Sequence, residues 1–126
     1  MRGILLATEC SKNSFRYILP VAFFALTTAH GPNWDAKRGI RQQDAWDEHA
    51  SFMDGLVDEG LVVLGGPLAG GDRALLLIEA SDESEIRSRL SADPWADMGL
   101  LQIGSIEPWS IWLDGRQASA AKDATV

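Results

Sequence analysis

One histidine in this sequence could carry proton-transfer chemistry, because its position on a predicted helix faces inward. His49 lies in the stretch "WDEHASFM", whose apolar residues recur at helical spacing. At about 100° per residue, His49 lies about 60° from Trp46 and close to Met53, inside the apolar arc. Asp58 projects from nearly the opposite side of this helix. A partner for the imidazole of His49 must therefore come from another element.

Asp93, in the stretch "ADPWADMG", is the candidate partner. An Asp before a Pro is also an ordinary helix start, with Asp93 as the N-cap and Pro94 at the first helical position. That interpretation explains both residues without any function. The functional hypothesis is that the carboxylate turns toward His49, orients its ring and stabilises the imidazolium. Because a carboxylate has two oxygens, Asp93 could do both.

Residue chemistry alone leaves three hypotheses open for His49. As a general acid and base it would act on a small organic substrate in a groove between helix and sheet. In a non-catalytic, ligand-binding or accessory dimer, the same pocket would bind a small molecule without turnover. In a structural role, it would be a core histidine that donates one hydrogen bond to a backbone carbonyl.

Metal and nucleotide chemistry have weaker support in the sequence. His30 and His49 with an aspartate could bind a metal, but two histidines without tight spacing are poor evidence. Neither a metal nor a cofactor is expected. The loop "LGGPLAGGD" lacks the Gly-Lys-Ser/Thr of a phosphate-binding loop. Its residues Gly65, Gly66 and Pro67 are instead expected to line a substrate pocket.

Composition and charge argue against several classes of partner. The chain has 11 Lys and Arg against 18 Asp and Glu, a formal charge of −7, and no basic run, which argues against nucleic acid. No apolar stretch reaches the roughly 18 residues that span a membrane. The five tryptophans are expected in the core or at a dimer interface, and Trp46 and Trp95 are candidates for the wall of an aromatic-substrate pocket.

The expected compartment rests on the cysteine count and on the first apolar run. Cys10 is the single cysteine and cannot form an internal disulfide, which favours a reduced, cytoplasmic protein. Residues 1–29 could alternatively mimic a secretory signal that ends at Ala29. Pro20 splits that run, and "VAFFALTTA" also has the composition of a buried strand.

Six elements are predicted to position these residues. A strand over 21–29 precedes a helix from about Arg41 to Glu59, which ends at Gly60. The segments "LVVLGGP" and "RALLLIEA" form a hairpin, the first as a short buried strand. A capped helix at "SDESEIRSRL" leads to a last strand in "LLQIGSIEPWSIWL", with a bulge at Gly104 and an edge or strand end at Pro108.

The order β-α-β-β-α-β predicts an α+β, ferredoxin-like fold, in which two helices cover one face of an antiparallel sheet. The other face would be too apolar to leave in water, so a homodimer stacked sheet to sheet is expected. Residues 1–20 are expected to be an extension or to reflect a start codon placed too early, 21–113 the folded domain, and 114–126 a disordered tail.

Several motifs, in this order, resemble those of the YCII-related (YciI-like) family of small dimeric α+β barrel proteins. They are "EH" within the first helix, "EGLVVLGGPL" after it, "ADPW" after the second helix and "IEPWSIWL" on the last strand. The resemblance covers residues 21–113. It implies a ferredoxin-like subunit, dimerisation through the sheets, and a pocket that holds a His-Asp pair, here His49 and Asp93.

The resemblance also implies an activity class. Some members are similar to enzymes that act by proton transfer on small, often ring-derived acids, as in the dehydrochlorination of a chlorinated muconate-type compound. This sequence departs from the family at Trp46, where some relatives have a charged residue such as Arg. Arg38 or Arg41, from the preceding loop, would then have to supply the counter-charge for an anionic substrate.

Overall fold

The computed structural model describes residues 21–116 and shows a four-stranded antiparallel sheet with helices on one face. The strands are β1 (Ala22–His30), β2 (Val62–Pro67), β3 (Ala74–Ala80) and β4 (Leu101–Pro108). The helices are α1 (Trp46–Asp58), α2 (Glu83–Leu90) and the short α3 (Pro94–Asp97), with a 3-10 helix at Ile40–Gln42. The predictions for 1–20 and for most of the tail concern residues outside this range.

The strand order β2-β3-β1-β4 is that of a ferredoxin-like sheet, so the predicted fold class is confirmed. β1 lies at the centre and pairs with β3 on one side and β4 on the other. The register on the β4 side shifts between Thr27 and Thr28, because Gly104 is the extra residue between their partners. The bulge predicted at Gly104 is therefore present, and β4 ends at Pro108 as expected.

Alternation along β1 separates the two faces of the sheet. Phe24, Leu26 and Thr28 are buried under the helices, whereas their neighbours in sequence point to the opposite face. Ile86 from α2 and Leu56 from α1 complete this core. The helix-facing side of the sheet is thus the side on which His49 can meet other buried groups.

Helix α1 begins later than the sequence predicted. Its predicted start at Arg41 is wrong, because the chain first forms the 3-10 helix and then turns through Ala45, which is left-handed at φ 59° and offers no side-chain cap. The predicted stop is confirmed: Gly60 has φ 85°, and the N–H groups of Gly60 and Leu61 bond the carbonyls of Val57 and Leu56. This is a Schellman motif, which favours glycine at its left-handed residue.

The predicted caps of the second half of the chain are also present. Asp82 accepts a hydrogen bond from the Glu85 N–H at 2.8 Å and starts α2. The Glu85 side chain in turn accepts a hydrogen bond from the N–H of Ser81 at 2.8 Å. In a standard capping box it would accept from the N–H of the N-cap residue, here Asp82, which is one residue later. These contacts fix the direction of α2, and the turn after it leads directly to Asp93.

Strand β2 corrects another expectation. It was predicted to be a short buried strand, but it lies at an edge of the sheet and only its first residue, Val62, is buried. Leu64 is 56% exposed, and Gly65, Gly66 and Pro67 are exposed. An edge strand has one neighbour only, so its apolar run cannot be covered on all sides.

The face of the sheet opposite the helices is apolar over one half. Leu64 pairs with Leu77 and Phe23 with Glu79, while Gly66 pairs with Leu75, so these residues share that face. On the β4 half of the same face, the residues are polar: Gln102, Ser105 and Glu107. Beyond β4, Trp112 is 90% exposed. Among residues 21–116, no helix has both the length and the apolar character to cross a membrane.

Candidate active site

His49 and Asp93 form a buried hydrogen-bonded pair between α1 and the start of α3. The distance from His49 Nδ1 to Asp93 Oδ2 is 2.7 Å, and their side chains are 10% and 6% exposed. This length is in the range of charge-assisted hydrogen bonds. The two residues are 44 positions apart in sequence. The inward position that helical spacing predicted for His49, and its meeting with Asp93, are therefore both observed.

Asp93 uses its two oxygens for two tasks. Oδ1 accepts a hydrogen bond from the Trp95 N–H at 2.9 Å and caps α3, whose first residue is Pro94. Oδ2 is left for His49. Because the cap fixes the carboxylate plane, the direction in which Oδ2 points is set by the helix start itself. The Asp93 carboxylate thus acts as the helix cap of the structural interpretation and as the His49 partner of the functional one.

The second ring nitrogen of His49, Nε2, opens toward a cavity. It makes no hydrogen bond with another described residue, and within residues 21–116 every buried side-chain nitrogen or oxygen has a partner. Nε2 must therefore be accessible, and His49 is one of the residues that line the cavity. When Nδ1–H donates to Asp93, Nε2 carries the lone pair, which is the arrangement that a general base requires. This tautomer is assigned from the hydrogen bond.

Tryptophans hold the imidazole of His49 in place. The ring of Trp95 stacks on it with centroids 3.9 Å apart and an angle of 5°, and Trp95 is fully buried. The Trp95 indole N–H donates to the carbonyl of Asp44 at 2.7 Å, which ties α3 to the residue before the α1 turn. Trp46 lies 5.9 Å from both rings. The imidazole plane is thus fixed by packing as well as by Asp93.

The cavity has a volume of about 350 Å³ and lies between α1, the ends of β1 and β4, and the β2–β3 hairpin. Most of its wall is apolar or aromatic, with contributions from Met53, Val57, Leu76 and Leu101. A volume of this size suits a small organic molecule. A second cavity of about 340 Å³ reaches Asp93 from the other side of Met53 and Leu76.

The structure brings most of the predicted substrate-binding residues to this cavity. Trp46, Gly65, Gly66, Pro67 and Trp95 all line it. Their contact with a substrate stays a prediction. Gly65 and Gly66 lie on the exposed edge strand β2, so this part of the cavity wall is formed by backbone without side chains.

The arginines proposed as counter-charges lie elsewhere. Arg41 is exposed on the 3-10 helix and is not among the lining residues. Arg38 donates to Asp35 and Asp44 at 3.1 and 3.3 Å, so its charge is already paired. The cationic residue that does line the cavity is Arg73, which precedes β3.

Sequence reasoning missed several lining residues, among them three charged side chains and a tryptophan. Asp54 follows Met53 on α1, and Asp72 and Arg73 belong to the glycine-rich loop. The adjacent charged residues at the end of "LAGGDR" could have indicated that this loop contributes side chains to a site. Trp34 also lines the cavity and stacks on His30 at 3.8 Å.

The donor set gives no metal site among residues 21–116, since no group of three or more His, Cys, Asp or Glu side chains lies close enough together to hold an ion. His30 and His49 both line the cavity, but the His30 ring lies against Trp34 and the His49 ring against Trp95. The two-histidine metal hypothesis therefore has no third ligand in the described part of the chain.

Comparison with known proteins identifies a family for this chain. The family model described as "YCII-related domain" matches residues 22–110, well over half of the chain. The match includes His49, Asp93 and all four strands. No curated protein and no solved structure shows significant similarity.

Proposed function

The chain belongs to the YCII-related domain family, and we propose that it is a cofactor-free enzyme that uses His49 and Asp93 to move a proton on a small organic substrate. The observation that carries the proposal is the buried pair itself, with Nδ1 of His49 held at 2.7 Å by Asp93 and the ring forming part of a cavity wall. His49 is the general base and acid. Asp93 orients the ring and stabilises the imidazolium.

The chemistry that such a pair supports is proton removal and return. An imidazole that takes a proton from carbon and returns one to a neighbouring atom catalyses isomerisation, and the loss of a leaving group instead gives elimination or a lyase step. The largely apolar wall suits these steps, since a substrate that displaces water from it would strengthen the electrostatic interactions at the base. Among residues 21–116, no serine or cysteine lies in the wall of this cavity, so a covalent intermediate on a described residue of that kind has no support.

Turnover by point variants tests the proposal. A screen of small cyclic ketones, lactones and ring-derived acids identifies a substrate by NMR, and His49→Gln and Asp93→Asn are then compared with the native protein. We expect each to lower kcat/KM by about 10²-fold or more, the usual contribution of a positioned acid or base. Arg41→Gln, at an exposed position outside the cavity, is the matched control and should keep native turnover. Native rates in both site variants would refute the proposal.

The same cavity also supports a second function, a small-ligand-binding or accessory dimer without chemistry. Its aromatic and apolar wall favours this candidate, because such walls bind rings without any need for a base. A ligand that copurifies unaltered and is released by His49→Gln would support binding alone. Chemical conversion of that ligand by the native protein, abolished in His49→Gln, would instead support the enzyme.

We infer in addition that the protein is a homodimer that buries the apolar half of its open sheet face. The support is the exposure of Leu64, at 56%, beside the half-buried Leu75 on that face. Contiguous apolar surface of this kind usually marks an interface.

A further inference from the structure

We propose that the cavity takes an uncharged cyclic carbonyl compound, with His49 as the base at its α-carbon and His30 as the hydrogen-bond donor to its carbonyl oxygen. The inference rests on the proton-transfer function proposed for His49 and names its substrate class. The observation behind it is a juxtaposition: the chain has two histidines, and both line this one cavity.

His30 is placed and oriented to serve a ligand. It ends β1, on the same face of the sheet as Thr28 and opposite Leu101, and all three residues line the cavity. The Trp34 ring stacks on it at 3.8 Å and 9°, which fixes the plane of the imidazole. Neither ring nitrogen of His30 bonds another described residue, so both are available to a bound molecule.

The two histidines differ in their surroundings, and the difference assigns their roles. The imidazole of His49 has the Asp93 carboxylate at 2.7 Å on Nδ1, which orients the ring and leaves the Nε2 lone pair free. No carboxylate contacts the ring of His30 among the described residues, and an imidazole always has at least one N–H to donate. One histidine is therefore suited to take a proton and the other to stabilise developing negative charge on oxygen.

The charges in the wall argue against an anionic substrate. Asp54 and Asp72 both line the cavity, and neither forms an ion pair with a described residue. Arg73 is the one cationic side chain among the described lining residues, and the whole chain carries a formal charge of −7. A carboxylate would enter against more negative than positive charge, so the wall disfavours an anion relative to an uncharged molecule of the same shape.

The aromatic content of the wall indicates a ring. Trp34, Trp46 and Trp95 join the two imidazoles in lining the cavity. The indoles of Trp34 and Trp95 meet edge to face at 5.8 Å, and Trp46 is tilted by 48° to Trp95. Trp34 and Trp46, which are partly exposed, can present planar surfaces to a ligand, while Trp95 is buried and supports the His49 ring. The volume of about 350 Å³ accommodates a single small ring system.

The proposed step is an enolisation and needs no co-reactant. The C–H bond beside the carbonyl breaks, its proton goes to Nε2 of His49, and its electron pair forms the new C=C bond. The carbonyl π pair moves to oxygen, which accepts a hydrogen bond from His30. If the Nε2 proton exchanges with solvent before it returns to the same carbon, and the oxygen electron pair re-forms the carbonyl bond, that carbon now carries a solvent hydrogen. In a β,γ-unsaturated carbonyl compound the dienolate can instead take the proton at the γ-carbon, which gives the conjugated isomer.

Proton exchange into a simple ketone tests the proposal without knowledge of the natural substrate. Cyclohexanone is incubated in D₂O with the native protein, His30→Gln, His49→Gln and the control Arg41→Gln, and loss of its α-proton signal is followed by ¹H NMR. We expect exchange above the buffer rate for the native protein and for Arg41→Gln. His49→Gln should fall to the buffer rate, and His30→Gln should be slowed by about 10²-fold.

A binding measurement accompanies the exchange rates. Because the chain has two histidines, both imidazole signals can be followed by ¹H–¹⁵N NMR and assigned from the two variants. Cyclohexanone should shift both signals, and cyclohexanecarboxylate, an anion with the same six-membered carbocycle, should need at least tenfold higher concentration to do so. If the His49 signal of ligand-free His30→Gln matches that of the native protein, the variant is folded and its His49–Asp93 hydrogen bond is intact.

Three results would overturn the proposal. Native exchange rates in His30→Gln, with His49→Gln inactive, would remove the role of His30 and leave the proposed function standing. Tighter binding of cyclohexanecarboxylate than of cyclohexanone would show that the substrate is an anion. Cyclohexanone that neither binds nor exchanges would exclude the carbonyl class. If the substrate screen also found no reaction that depends on His49, the proposed function would fall with it.

Discussion

At the scale of single residues, Asp93 links the stability of the fold to the proposed chemistry. One oxygen caps α3 and the other holds His49, so no substitution of Asp93 can be judged on activity alone. The two tasks differ in what they require. The cap needs an acceptor oxygen, whereas the imidazole needs an acceptor that leaves its Nε2 lone pair free.

Asparagine and alanine at position 93 should separate these tasks. In Asp93→Asn the amide oxygen can still cap the Trp95 N–H, but the amide nitrogen donates to Nδ1 of His49 and moves the ring proton to Nε2. We expect native-like stability and a loss of turnover of about 10²-fold or more; the same change in a Ser-His-Asp triad costs roughly 10⁴-fold. Urea unfolding and kcat/KM measure the two effects.

Alanine at the same position removes both acceptors. Asp93→Ala should lower the free energy of unfolding by about 1–3 kcal/mol, because the Trp95 N–H and the His49 ring lose a partner in a buried place. Equal stability of the Asn and Ala variants would show that the cap at Asp93 contributes little to the fold.

The sequence predicted the pair and only part of its wall. Helical spacing placed His49 inward, and the Asp-Pro start made Asp93 available, because both are local properties of the chain. Which other side chains reach the cavity depends on how the hairpin loop folds against α1. Arg41 is close to His49 in sequence yet outside the cavity, whereas Arg73 is distant in sequence yet part of its wall.

At the scale of elements, the end of α1 is better determined by sequence than its beginning. Gly60 ends the helix through its left-handed backbone, a property of glycine that is visible in the sequence. The start depends on Gln43, which is buried at 3% and whose amide donates to the carbonyls of Asp35 and Arg38 at 2.8 and 3.0 Å. The loop before α1 is therefore held by hydrogen bonds from the Gln43 side chain, and helical periodicity does not reveal such an arrangement.

Two glycines of α1 should respond to alanine in opposite directions. Gly60→Ala puts a Cβ on a residue with φ 85° and should lower the free energy of unfolding by about 1–2 kcal/mol. Gly55→Ala, within the helix and with no atom within 4 Å of the new Cβ, should raise it by about 0.5–1 kcal/mol. Denaturant melts of the two variants provide the comparison. A gain in stability from Gly60→Ala would contradict the Schellman assignment.

For the whole molecule, the main feature is that the sheet face opposite the helices is apolar on one half and polar on the other. The β2 and β3 side carries Leu64, which is exposed, and the half-buried Leu75, whereas the β4 side carries Gln102, Ser105 and Glu107. The sequence predicted an apolar second face from the strand composition. It did not predict that the apolar area is confined to one half, because that depends on which strands lie at the edges.

The homodimer should depend on that half of the face. Leu64→Glu places a charge at an exposed position of an edge strand, so the single chain should still fold, whereas a stacked dimer would have to bury the charge. We expect the native protein to sediment as a dimer at micromolar concentration and Leu64→Glu as a monomer. Ser105→Glu, on the polar half, is the control. A native monomer would remove the argument for the interface.

The left-handed Ala45, one residue before the helix that carries His49, has a consequence for how the protein has evolved. An alanine with φ 59° costs roughly 1 kcal/mol relative to glycine, and backbone strain of this kind tends to persist near functional sites. Selection for stability alone would favour glycine here. Ala45→Gly should raise the melting temperature while the direction of Trp46 becomes less fixed, which would lower turnover. A variant that gains both stability and turnover would show that Ala45 was kept by chance.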